Sequence, residues 1–361
     1  MYYNNGKMVK KQMKIHSNFI GGNIIVESIE NEVVKIKCDQ RDSSEDWFYW
    51  AFCVEGAAGK TLTFKFPKDR IGYFGPAISH DLKKWDWLNK EDDFSSFTYT
   101  FKSDEDKVYY AHSLLYHPNR FNSFVNKYNI KRKCLCKSKK GREIPMITFG
   151  NGYTKILLTA RHHACESTGN YVLEGGLKGL LTANNNNISV FCVPFVDYDG
   201  VVDGDQGKSR IPHDHNRDYE PDKKSIYPEI NAIRNYIDNN DVLLGFDFHS
   251  PWHIGGVNDN AFIVQKSLSK IPELNLFGEL LEKNNRSCSF NYKHENDAKP
   301  DVEWNHIGAP TFATYLMNKK SNKVAFTLET AYFGTEENKA GEEKFINLGI
   351  DFANTILEYI N

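Results

Sequence analysis

The 361-residue sequence predicts an α/β fold, with a mixed sheet flanked by helices, preceded by a small all-β sandwich. Between about residues 16 and 116 the chain is a succession of short β-rich runs separated by turn signals, with no convincing long helix among them. Beyond that point, apolar strand-like runs alternate with amphipathic helical segments. That alternation is the pattern of a sheet covered on both faces. A division into residues 1–117 and 118–361 follows.

In the first part, "NIIVESIENEVVKIKCD" alternates and is rich in β-branched residues. "DWFYWAFCVEG" and "KTLTFKFPK" flank "AAG" and read as a hairpin, and "SFTYTFKSDEDKVYYAHSLLY" reads as strand, acidic turn and strand. In the second part, "NRFNSFVNKYNIK" is a helix candidate, and "KCLCKSKKGREIPMITFGNG" a strand pair about a Lys-Lys-Gly turn. "KILLTA" is then a strand, and "STGNYVLEGGLKGLL" a helix opened by Ser167 or Thr168. "ISVFCVPFV", "VLLGFDF" and "KVAFTLET" are strands; "SIYPEINAIRNYIDN", "LFGELLEKNN" and "KFINLGIDFANTILEYI" are helices. "WNHIGAPTFATYLMNKK" (Trp304–Lys320) is expected to form a helix-rich lid or pocket.

Composition narrows the function. Hydrophobic residues make up 40% and charged residues 25%, as in ordinary globular proteins. A net charge of −2 provides no electrostatic footprint for nucleic acid or an anionic membrane. No apolar run approaches the roughly 20 residues that span a bilayer. The N-terminus has no apolar stretch behind its basic residues, so a cytoplasmic protein is expected. Seven scattered cysteines do not form a disulfide framework, and Cys134 and Cys136 read as strand thiols.

Chemistry concentrates at strand ends, where sites gather in α/β sheets. His163 and Glu166 follow "KILLTA", and His249 ends "VLLGFDFH". Two such ligands three residues apart, completed by a distant histidine, suit a three-ligand Zn²⁺ site that keeps a position for water. His162 competes with His163, because its offset of four from Glu166 also permits ligation. Asp247 is a candidate for orienting a ligand, or a plain strand residue.

These motifs resemble the zinc carboxypeptidase family, and within it the cytosolic carboxypeptidase-like branch. Ala160–Glu166 stands in the register of the branch's A-R-x-H-P-G-E segment, which favours His163 over His162. "VPFVDYDG" resembles V-P-x-x-N-P-D-G, with Asp197-Tyr198 replacing Asn-Pro. Asn216-Arg217 resembles the pair that grips a terminal carboxylate, "FDFHS" the third-ligand strand, and "VAFTLET" the strand carrying the catalytic glutamate, here Glu329. The branch also has an arginine in the loop before Asn-Arg. An ungapped register puts Gly207 there, leaving Lys208 and Arg210 as candidates for the cation.

The resemblance implies a divergent zinc metallocarboxypeptidase with a carboxypeptidase-like fold. His163, Glu166 and His249 would hold Zn²⁺, and Glu329 would be the general base. Asn216, Arg217, Lys208 and Arg210 would bind a peptide or peptide-like substrate with a free carboxylate. A zinc deacylase of N-acyl amino acids or a peptidoglycan-stem peptidase is the enzymatic alternative. A ligand-binding protein with a degenerate metal site is the non-enzymatic one.

Overall fold

The structure, a computed structural model, describes residues 2–4, 7–9, 12–89, 93–183, 185–302 and 304–361. Two sheets form the N-terminal β region. One runs in the order Ser96–Thr100, Thr61–Lys65, Val33–Lys37, Ile25–Glu30. The other runs Lys14–His16, Ala51–Glu55, Lys107–Ala111, Ala77–Ser79, Asp86–Trp87.

The hairpin expected about "AAG" does not form. Ala51–Glu55 pairs with Lys14–His16 and Lys107–Ala111, whereas Thr61–Lys65 pairs with Ser96–Thr100 and Val33–Lys37. The connection crosses between sheets because both strands carry apolar side chains for one shared core. Phe52 and Val54 from one sheet and Leu62 and Phe64 from the other are all buried in it. Facing across a core satisfies the same alternation as pairing side by side. The opposite face of the Ala51–Glu55 strand is also apolar: Ala51 and Cys53 join the main core of the molecule. The sandwich is therefore seated on the rest of the chain.

The main sheet has seven strands in the order Arg132–Lys137, Glu143–Phe149, Ile188–Val193, Thr154–Ala160, Val242–His249, Val324–Thr330, Ala261–Val264. The four from Ile188–Val193 to Val324–Thr330 are parallel, and the outer pairings are antiparallel. Ala261–Val264 is a strand the sequence reading passed over.

Helices cover both faces. Phe246 and Phe326 pack against Phe277 and Phe352 of helices Ile271–Asn284 and Glu342–Ile360, with ring centroids 4.9 to 6.0 Å apart. On the other face, Phe191 stacks on Tyr236 of helix Pro228–Asp238, and Gly245 lies under Leu316 and Phe312 of the short helix Phe312–Met317. The Trp304–Lys320 segment thus contributes one six-residue helix. Helix Thr168–Thr182 approaches the C-terminal helix through glycine: a Cβ at Gly175 would run into the Ile346 carbonyl, and one at Gly349 into that of Val172. Such close packing of backbones fixes where Thr168–Thr182 starts, directly after the Arg161–Ser167 turn.

Candidate active site

The central parallel strands bring their C-terminal ends together. Thr159 lies opposite Asp247, and His249 opposite Glu329. Because side chains alternate along a strand, Asp247 and His249 share a face. The turn after Thr154–Ala160 is held by Arg161, a buried residue at φ 61°, whose Nε donates to the Ala164 carbonyl at 2.8 Å. This clamp shapes a turn that lacks the Pro-Gly of the related motif.

His163, Glu166 and His249 converge. Glu166 Oε1 lies 2.9 Å from His163 Nδ1, and Glu166 Oε2 lies 2.6 Å from His249 Nδ1. One ligand atom from each lies within 4.8 Å of the others. His249 Nε2 faces Asp247 Oδ2 at 2.5 Å, which leaves Nδ1 directed at the cluster. A carboxylate behind a histidine in this way fixes the ring and raises its basicity.

His162 falls in a second group, with Asp247 and His249. Both its ring nitrogens are engaged, Nδ1 with Asp247 at 2.8 Å and Nε2 with the Tyr219 hydroxyl at 2.8 Å. Asp247 also accepts from Thr159 at 2.8 Å. The donor set of His163, Glu166 and His249 fits a Zn²⁺ ion: two imidazole nitrogens and a carboxylate on a compact, buried cluster.

The electrostatics are those of an acidic pocket. Burial pushes the Glu166 carboxyl up, but His163, Lys208 and His249 outweigh it and hold the group well below the usual range. Burial lowers His249, yet Asp247 and Glu166 raise it well above an ordinary imidazole. Glu329 is pushed up to about 7, chiefly by burial, against the pull of His249. Its Oε2 is buried and has no hydrogen-bond partner among the described residues. A divalent cation beside it would draw its proton off.

The two loop cations separate clearly. Lys208 Nζ lies 2.6 Å from Glu166 Oε1, at the metal cluster. Arg210 turns away to three carboxylates: Asp42 at 2.9 Å, Asp197 at 2.7 Å and Asp205 at 3.0 Å. Asp197 stands where the related motif has asparagine, and it caps helix Tyr198–Asp203 by accepting from Gly200 N at 2.9 Å. The extra charge at Asp197 calls for a cation, and Arg210 is that cation.

Asn216 and Arg217 lie on a short 3₁₀ turn, His215–Arg217, capped by Asp214. Asp214 also lies 3.4 Å from His163 Nε2, which ties the turn to the metal cluster. Asn216 Oδ1 accepts from Phe312 N at 3.1 Å, so its amide N–H₂ is the group left to donate. Arg217 is exposed; the only hydrogen bond of its guanidinium among the described residues runs from Nη1 to the Asn216 carbonyl at 3.2 Å.

Lys266 was missed by sequence reasoning. It is buried just beyond strand Ala261–Val264, and its ammonium is drawn down to about 8, first by burial and then by Arg217. It lines a cavity of about 510 Å³ with Tyr219, Leu268, Ile307 and Tyr315. Only a reading of that four-residue strand would have flagged it.

Known proteins resemble this chain in sequence and in fold. Residues 15–112 match the family model described as the cytosolic carboxypeptidase N-terminal domain. The chain is 22% identical to cytosolic carboxypeptidase 2 of Xenopus tropicalis over 307 residues, 73% of this chain and 30% of that protein. The chain is thus similar, at low identity, to the cytosolic carboxypeptidases. It spans less than a third of the Xenopus relative. Its fold is that of the metallo-carboxypeptidase from Burkholderia cenocepacia, with a TM-score of 0.79 and 19% identity over 97% of this chain and 99% of that one. The metallo-carboxypeptidase from Pseudomonas aeruginosa, solved in complex with (2-guanidinoethylmercapto)succinic acid, matches with a TM-score of 0.78 and 18% identity over 96% of this chain and 100% of that one. Among the described residues no helix is long and apolar enough to cross a membrane.

The Arg210 network makes a pH prediction. Burial and the neighbouring Asp42 push Asp205 from 3.8 up to about 7, despite Arg210. Its folded pKa is raised, so the folded state holds a proton that the unfolded chain loses, and stability falls as pH climbs through that interval. Asp205→Asn should therefore raise the melting temperature relative to wild type more at pH 8 than at pH 5. Thermal unfolding at the two pH values checks this; an equal difference at both would exclude a raised Asp205.

Proposed function

We propose that this protein is a zinc metallocarboxypeptidase that hydrolyses the C-terminal peptide or amide bond of a peptide-like substrate. The observation that carries this reading is the convergence of His163, Glu166 and His249 beside Glu329, which lies opposite His249 in the neighbouring strand. A zinc ion held by those three side chains would polarise the scissile carbonyl and acidify water.

Glu329 takes a proton from water and delivers it to the leaving nitrogen. The water oxygen ends in the new carboxylate as the C–N bond breaks. Lys208, next to Glu166, supplies positive charge for the oxyanion once its ammonium is released from that carboxylate. Arg217 grips the terminal carboxylate through paired N–H donors, and the Asn216 amide adds a neutral one.

Arg210 has a structural role in this reading, because its guanidinium is taken up by Asp42, Asp197 and Asp205. Lys266, near Arg217, adds a second cation on the substrate side. The division at residue 117 belongs to the same proposal, with Pro118 opening the first helix of the catalytic part. The name of the cytosolic relatives supports a cytoplasmic location.

Metal content and turnover should separate by residue. His163→Ala should lose zinc, since it removes one of three protein ligands. Glu329→Gln should retain zinc and lose at least about 10²-fold in rate. Metal analysis and peptide assays on both variants test this; near-normal turnover in Glu329→Gln would remove it from the mechanism.

Arg217→Ala should lower kcat/KM for a peptide with a free terminal carboxylate by about ten- to hundredfold, the worth of one charge-assisted contact. The same peptide as a C-terminal amide should be affected far less. Equal losses on acid and amide would mean that Arg217 is structural and would favour the deacylase or an endopeptidase.

A further inference from the structure

We infer that Asp42, a residue of the N-terminal β region, is a positioning residue for the active-site cation Lys208. This rests on the role given to Lys208 above. The segment Gly204–Arg210 carries that cation, and its backbone is unusual. Gly204, Gly207 and Ser209 all have left-handed φ, at 77°, 75° and 48°. Serine rarely adopts that conformation, so surrounding contacts must hold it.

Those contacts come from residues 39–49. Asp42 accepts from two consecutive amides, Gln206 N at 2.9 Å through Oδ1 and Gly207 N at 2.8 Å through Oδ2. Its Oδ2 also accepts from Arg210 Nε at 2.9 Å. One carboxylate thus fastens the loop on both sides of Lys208. On the far side, the Ser209 carbonyl accepts from Ser44 N at 3.0 Å and Ser44 Oγ at 2.7 Å. Ser209 Oγ donates to Glu45 at 2.7 Å and accepts from Trp47 Nε1 at 3.1 Å. The Lys208 ammonium itself lies 5.1 Å from the Trp47 ring centroid.

The catalytic part adds backbone bonds at the start of this segment, from Gly204 N and Asp205 N to the Gly200 carbonyl at 2.8 and 2.9 Å, one from Cys165 N to the Gln206 carbonyl at 3.2 Å, and a steric wall: a Cβ at Gly207 would run into the Ala164 amide. The loop is therefore pressed against the His163–Glu166 turn from outside. Bonds to a carboxylate are the strongest kind available for this. The N-terminal β region, on this account, completes the active site without touching substrate.

A double-mutant cycle tests the claim. The variants are Asp42→Asn, Lys208→Met and the pair, assayed as full-length zinc-loaded protein on an N-blocked peptide with a free C-terminal carboxylate. Methionine keeps the apolar stem beside Trp47 and removes the charge. Asn presents an N–H₂ where one of the loop amides donates.

Lys208→Met should lower kcat by about 10²-fold, as for loss of an oxyanion donor. Asp42→Asn should lower kcat by about tenfold or more, as misplacement of a catalytic group does. KM should stay within about twofold, because the Arg217 clamp is untouched. In the Lys208→Met background, Asp42→Asn should change kcat by less than about twofold. The same loss in both backgrounds would overturn the inference while leaving the proposed function intact. An unaffected Lys208→Met, or a wild type inactive on such peptides, would instead defeat the functional reading on which the inference rests. Should Asp42→Asn fail to fold, Ser44→Ala, which removes the hydroxyl bonded to the Ser209 carbonyl and does not touch Lys208, replaces it: its smaller loss of kcat must likewise vanish without Lys208.

Discussion

The parallel register of three strands is the constraint on which the site depends. Thr159 opposite Asp247 and His249 opposite Glu329 place two carboxylates and an imidazole at one end of the sheet. A slip of one residue in Val242–His249 would turn Asp247 and His249 to the other face and dissolve the cluster. The register is secured by burial on both faces. Phe246 packs among Phe277, Phe326 and Phe352, while Gly245 accommodates Leu316. Asp247 then joins the strands chemically, accepting from Thr159 and facing both His162 and His249.

From that base the loops take fixed positions. Arg161 folds the His163–Glu166 turn back on itself, and Asp214 links the Asn216-Arg217 turn to His163. The cation loop is fastened by Arg210 within and by the β region without. Substitutions relative to the related motifs are therefore connected. Asp197 in place of asparagine is matched by Arg210, and the cation that remains at the metal cluster is Lys208.

Much of this was legible in the sequence, for definable reasons. The apolar strands of the main sheet were readable because burial on both faces leaves continuous hydrophobic runs, as in Ile188–Val193 and Val324–Thr330. His163, Glu166, His249 and Glu329 stood out because each lies at or just after such a run. What failed was pairing and long-range contact. Alternation in Ala51–Glu55 and Thr61–Lys65 reports which side chains face a core; it does not report whether the strands are neighbours or face each other across it. Ala261–Val264 is too short to announce itself, and Lys266 was lost with it. Nothing local distinguishes Lys208 from Arg210, since their fates are set by carboxylates as distant in sequence as Asp42 and Glu166. The choice of His163 over His162 came from the resemblance alone, because the Tyr219 hydroxyl that engages the His162 ring lies on a remote loop.

Two overlapping groups share His249, one with His163 and Glu166 and the other with His162 and Asp247, and the account requires the first to hold the ion. Anomalous diffraction at the zinc edge from crystals of the zinc-loaded protein reads this directly. The account predicts a single strong peak per chain within about 2.0–2.2 Å of His163 Nδ1, a Glu166 oxygen and His249 Nδ1. A peak bonded to His162 and Asp247, or none at this end of the sheet, would contradict it.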